Sequence, residues 1–117
     1  PPPAAAAETA QAVYAAMAPH LAAGQLLSFS TPTRGHTGVV AHRDSQWTFI
    51  NSGRLDHPVV AAGTTKGVGE EVLQAEIGNW LRLARRRGEG LRITLGHFQD
   101  RKLAQFRSGA SAAVPTA

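Results

Sequence analysis

Apolar residues recur along this chain with two different periods, and the change of period marks out its elements. Val13, Met17 and Leu21 stand four apart with Ala16 in the same stripe, which predicts a helix over residues 10–22, ended by Pro19 and Gly24. Residues 25–30 alternate apolar and polar positions and read as a strand, followed by the turn-rich loop Thr31-Pro32-Thr33-Arg34-Gly35. Residues 37–42, with β-branched Val39 and Val40, predict a second strand. Residues 46–51 predict a third, with Trp47 and Phe49 on one face and Thr48 and Ile50 on the other. The polar Arg43-Asp44-Ser45 turn joins these two as a hairpin.

Residues 52–67 read as a long connection punctuated by glycine and proline, of the kind that often carries function in a small domain. The clearest helix is expected over residues 69–87. Leu73, Ile77, Trp80, Leu81 and Ala84 form its apolar face, Glu70 and Glu71 its first turn, arginines its last, and Gly88 its cap. Residues 91–98 alternate through Leu91, Ile93 and Leu95 as a fourth strand, and residues 102–106 offer a short fifth. The expected fold class is therefore α+β: an antiparallel sheet of four to five strands packed on one long helix. Trp47 and Trp80 are most simply core residues from the two faces that meet.

Composition narrows this picture. The 117 residues allow one domain, and 43% apolar with 17% charged residues suits a folded one. The Pro/Ala run 1–7 and the small, polar tail 107–117 lack any periodicity that could dock on a core, so the domain is expected over residues 8–106 with loose ends. No apolar run approaches the roughly 20 residues of a membrane span, and the N-terminus lacks the pattern of a signal peptide. The net charge of +4 favours acidic partners in general terms. Arg82, Arg85, Arg86 and Arg87 raise nucleic-acid binding as one reading, but no aromatic residues interleave with them for base stacking, and cations are favourable at a helix end in any case. There is no cysteine, hence no disulfide and no thiolate metal site. His36, His42, His57 and Asp56 show no compact ligand spacing, so neither a metal nor a cofactor is expected. The run Gly63-Thr64-Thr65-Lys66-Gly67-Val68-Gly69 has the wrong order for a phosphate loop and reads as a loop leading into the helix.

Three segments, taken in order, carry a resemblance. Gly24-Gln25-Leu26-Leu27-Ser28-Phe29, Gly35-His36-Thr37-Gly38-Val39-Val40 and Trp47-Thr48-Phe49-Ile50-Asn51 are similar to the strand set of NlpC/P60-type, papain-like cysteine hydrolases. There a Gly-Asp-Leu-apolar-Phe strand precedes a Gly-His strand and a partner strand ending in a polar residue. The resemblance covers about a third of the chain and implies a papain-like core. It implies that His36 is the general base and that Asn51 orients it by accepting its other N–H. Gly35, Trp47, Asp56 and His57 are the candidate substrate-binding residues. The family's aspartate is Gln25 here, and its nucleophilic cysteine, which stands at the start of a helix upstream of these strands, has no counterpart. Ser28, Ser30 or Ser52 would replace it only if its hydroxyl lay beside His36.

The activity implied is hydrolysis of an amide bond, in a peptide or peptidoglycan-like substrate, with the thiol supplied by an upstream segment or a second chain. Such families imply a bacterial protein, secreted or periplasmic; without the resemblance a cytoplasmic place is as natural. A non-catalytic interaction module that kept the sheet and lost the cysteine is the alternative reading, with a basic nucleic-acid-binding domain the third. A sheet edge left open by a missing half would suit a homodimer.

Overall fold

The computed structural model describes residues 9–59 and 66–96, which form a five-stranded antiparallel sheet with helices on one face. In chain order the elements are α1 (Ala10–Met17), β1 (Leu26–Ser30), β2 (Gly35–Arg43), β3 (Gln46–Arg54), β4 (Lys66–Val72), α2 (Leu73–Arg87) and β5 (Arg92–Gly96). The strand order across the sheet is β4-β3-β2-β1-β5.

Helix α1 starts where the Thr9 side chain accepts the Ala12 N–H at 3.1 Å. Its helical turn tightens at Ala18–His20, around Pro19. The following turn is tied to β1 by Gln25, whose buried amide accepts from Ala22 N at 2.9 Å and donates to His20 O at 2.9 Å. Gln25 thus ties the end of the helical turn to the sheet.

The β2–β3 hairpin closes on Asp44 and Ser45, with φ of 52° and 66°. Two consecutive left-handed residues are what a two-residue turn needs to follow the strand twist. One sheet face carries Leu27, Phe29, Val40 and Phe49, and α2 lays Leu73, Ile77, Trp80 and Leu81 on it. Phe29 is the centre of this core. It stacks on Trp80 at 5.5 Å and meets Phe49 edge-on at 5.4 Å. Each such buried aromatic contributes about 1.5–3 kcal/mol relative to exposure. Gly38 lies beneath: a Cβ there would meet the Phe49 ring and the Ile50 carbonyl at 2.5 Å each. Only a residue without a side chain lets Phe49 lie across the sheet.

The largest difference from the sequence expectation is β4. Lys66–Val72 was expected to finish a loop and open a helix; instead it pairs with β3 from Thr48↔Val72 to Arg54↔Lys66. Glu70 and Glu71 are consecutive strand residues pointing to opposite faces, not the first turn of a helix. Helix α2 begins four residues later than expected, at Leu73, and has 15 residues. Among the described residues the helix layer is therefore two short helices, α1 and α2, rather than one long one. The sheet has five strands because β4 joins it; the fifth strand expected over residues 102–106 lies outside the described residues, as do the two ends, residues 1–7 and 107–117. The glycine-rich segment around Lys66 does not lead directly to a helix N-terminus, since Lys66–Val72 is strand. No helix among the described residues is long and apolar enough to cross a membrane.

Candidate functional site

The register brings His36 and Asn51 to one face of the sheet. His36 opposes Phe29 on β1, and Phe49 opposes Val40 on β2, so His36, Phe49 and Asn51 all point towards α2. The β2–β3 ladder reaches Val39↔Ile50; one step further along that register stands Asn51 opposite Gly38. On its other side Asn51 pairs with Gly69 of β4. Asn51 thus lies between two glycines, and its amide reaches diagonally in both directions.

Toward β2, Asn51 Oδ1 meets His36 Nε2 at 3.0 Å. Toward β4, Asn51 Nδ2 donates to Glu71 Oε1 at 2.9 Å. The other Glu71 oxygen accepts the backbone N–H groups of Asp56 and His57 at 2.9 and 3.0 Å. Asn51 is buried and Glu71 has no exposed surface. With Glu71 as an acceptor, the network assigns the proton positions. A carboxylate oxygen accepts, so the Asn51 NH2 faces Glu71 and its carbonyl faces His36. A carbonyl also only accepts, so His36 Nε2 carries the proton. In the neutral ring Nδ1 then holds the free lone pair. The Phe49 ring supports the imidazole edge-on, with centroids 6.1 Å apart.

The polar network continues into α2. Glu76 is buried beside Glu71, and its carboxyl is pushed up to about 7, chiefly by burial and then by the charge of Glu71 and the hydrogen bond the two share. Asn79 Nδ2 donates to Glu76 Oε1 at 3.3 Å, and Arg82 donates to Asn79 Oδ1. His57 Nε2 stands 3.4 Å from the same Asn79 oxygen.

A cavity of about 380 Å³ opens over this network. The sheet side supplies Arg34, Gly35, His36, Asn51, Ser52 and Asp56. Helix α2 supplies Glu76, Asn79, Trp80, Arg82, Leu83 and Arg86. Three guanidinium groups against two carboxyls, one of them held protonated below about pH 7, give it a positive balance.

Of the residues singled out in the sequence, the structure gathers His36, Asn51, Gly35 and Asp56 around this cavity. His57 contributes its N–H to Glu71, while its ring turns towards Asn79 and lines a separate cavity with Ala10 and Gly78. Trp47 lies at the far end of the hairpin, against His42 at 4.6 Å, with its N–H donated to the Tyr14 hydroxyl at 3.1 Å. Ser28 is on the opposite sheet face, bonded to Thr37 at 2.8 Å, and Ser52 borders the cavity. Glu71, Glu76 and Asn79 were not expected in a site, and Arg82 entered only the nucleic-acid reading. The sequence held no local signal for Glu71: residues 67–72, Gly-Val-Gly-Glu-Glu-Val, lack a clean apolar–polar alternation, and an acidic pair before Leu73 reads as a helix start. Among the described residues no group of three histidines or carboxylates gathers in a way that could hold a metal ion. Comparison of the chain with family models, with curated proteins and with solved structures gave no match in any of the three.

Proposed function

We propose that this chain carries the general-base portion of a papain-like cysteine hydrolase that cleaves an amide bond in a peptide, peptidoglycan peptides included. The thiol comes from outside these 117 residues, from an upstream segment or a second chain. The observation that carries this reading is the His36–Asn51 contact at 3.0 Å, which leaves the Nδ1 lone pair free beside an open cavity. A histidine held in one tautomer by an amide carbonyl is what activation of a thiol requires. In the reaction Nδ1 takes the thiol proton, and the thiolate sulfur bonds to the carbonyl carbon. The C–N bond then breaks as the imidazolium returns its proton to the leaving amine. Water, deprotonated by the same nitrogen, releases the acid from the thioester. The positive rim of Arg34, Arg82 and Arg86 suits a substrate with carboxylates near the scissile bond.

The absence of cysteine from the sequence favours a second reading, an interaction module that uses the same cavity to bind rather than to cleave.

The test is the product made from the gene in its native context. Its intact mass is measured before and after a thiol-alkylating reagent, and amine release from purified peptidoglycan is followed in parallel. A longer product or a bound partner that gains one alkyl group, with amine release abolished by His36→Ala, is the expected result. A product of this chain's own mass that gains no alkyl group and releases no amine would overturn the hydrolase and leave the binding module.

A further inference from the structure

Glu71 has no place in the reaction just described: it touches neither the cavity's open volume nor the imidazole. Yet it is the most completely buried charged residue among those described, and its bonds to Asn51, Asp56 and His57 converge on one result. An amide side chain is nearly symmetric in shape, and either end of Asn51 would fit beside His36. What decides between them is the group behind it, at 2.9 Å, with the Phe49 carbonyl, which also accepts from Asn51 Nδ2 at 3.4 Å, as the weaker support. With Glu71 behind, only the NH2 end of Asn51 can face β4, because the opposite orientation would set a carbonyl against a carboxylate in a site without water exposure. The carbonyl end is thereby delivered to His36.

We infer that Glu71 is a positioning residue that sets the tautomer of His36 by fixing which end of the Asn51 amide the imidazole meets. The imidazole is 3.0 Å from Asn51, and Asn51 is 2.9 Å from Glu71, so the information passes through one side chain. Glu71 is itself prevented from turning by the two N–H groups of Asp56 and His57 on its second oxygen. The consequence for catalysis rests on the hydrolase reading. The tautomer assignment stands on the hydrogen bonds alone.

The swap of acid and amide makes the inference testable. In Glu71→Gln the side-chain oxygen stays with the Asp56 and His57 N–H groups, and an NH2 replaces Oε1. Asn51 then turns its carbonyl to Gln and its NH2 to His36, so Nε2 becomes the acceptor and the proton moves to Nδ1. Adding Asn51→Asp restores an acceptor on both sides and returns the proton to Nε2. The measurement is the pair of imidazole 15N shifts of His36 in the labelled protein, at a pH where the ring is neutral. Expected are Nε2–H in the wild type, Nδ1–H in E71Q and Nε2–H again in N51D/E71Q. Nδ1–H in the wild type, or an unchanged tautomer in folded E71Q, overturns the inference. Should E71Q fail to fold, N51D/E71Q decides. Folding with Nε2–H supports the inference; Nδ1–H, or failure to fold, overturns it.

In the native-context hydrolase, E71Q is expected to lower kcat on the order of ten-thousand-fold with KM little changed, the scale of a wrong-tautomer defect in a hydrolase triad. A proton that moves as described in a protein that cleaves nothing would refute the hydrolase and leave the positioning role intact.

Discussion

The two ends of the β2–β3 hairpin present the same residue type on the same sheet face with opposite results. At the closed end, His42 is exposed and lies edge-on against Trp47 at 4.6 Å. At the open end, His36 is half-buried and gives its Nε2–H to Asn51. The carboxylates behind them divide in the same way. Glu70 sits on the outer face, bonded to Arg43 at 2.8 and 3.0 Å and accepting the Thr48 hydroxyl, and the hydrogen bond from Arg43 holds its carboxyl below the usual range. Glu71, one residue on, is sealed under α2, with three N–H donors and the Glu76 carboxyl around it. A histidine on a strand is common; a histidine with a buried, fully bonded support beneath it is a device. Burial of the support, more than the ring's own surroundings, separates the two ends.

Four measurements would break or sharpen that contrast, from the largest expected effect to the smallest. Glu71→Ala removes the acceptor of three N–H donors, the buried one on Asn51 and the half-buried ones on Asp56 and His57. Equilibrium denaturation should show a loss of about 3–5 kcal/mol, or no folded protein at all. Gly38→Ala pushes a methyl group into the Phe49 ring and the Ile50 carbonyl. It should cost about 1–3 kcal/mol and lengthen the His36–Asn51 contact, seen as broadened imidazole 15N signals.

The third measurement is a pH series. Glu76 keeps its proton up to about pH 7 in the folded chain, against an ordinary value of 4.5. Between those values the native state binds more protons than the unfolded state, so stability falls as pH rises. The melting temperature should decline across this window in the wild type, and the decline should shrink in Glu76→Gln, which keeps a donor for Glu71 without titrating. A wild-type melting temperature that is flat from pH 4.5 to 7 would remove the buried carboxyl pair from the account. Last, Arg43→Ala at the closed end should leave the melting temperature nearly unchanged, because Arg43 is exposed and its partner Glu70 keeps Thr48. A large loss there would erase the contrast between the ends.

Much of the framework is legible in the chain itself. The hairpin, its turn, β1, β5 and the apolar face of α2 all follow from period and turn chemistry, and Gly88 caps α2 in the left-handed conformation expected of it. The coarse class, α+β on an antiparallel sheet, follows too. β4 was hidden because two signals coincide. Acidic residues just before an apolar helical stripe look like a helix start, while glycines at positions 67 and 69 weaken the strand pattern. Pairing with β3 decides between them, and that is a tertiary fact. The His36–Asn51 pair was readable from strand order. Glu71 and Glu76 were not, since nothing local distinguishes a carboxylate that caps a helix from one that supports a side chain on the neighbouring strand. Trp47 shares a strand with Asn51, but four residues along that strand carry it about 13 Å away from the site.

Gly69 acts as a reading-frame mark for strand β4. Two glutamates in tandem would make a slip of one residue chemically cheap, for Glu70 could stand in for its neighbour beneath Asn51. A slip in either direction, however, brings Val68 or Glu70 to the place now held by Gly69, where even a Cβ would lie 2.9 Å from the Leu55 side chain. The absence of a side chain at one position thus favours one register over the other, because any other residue there would make the Leu55 side chain turn aside. A library randomised only at position 69 would therefore be selected for pairing register, long before any demand for activity is imposed.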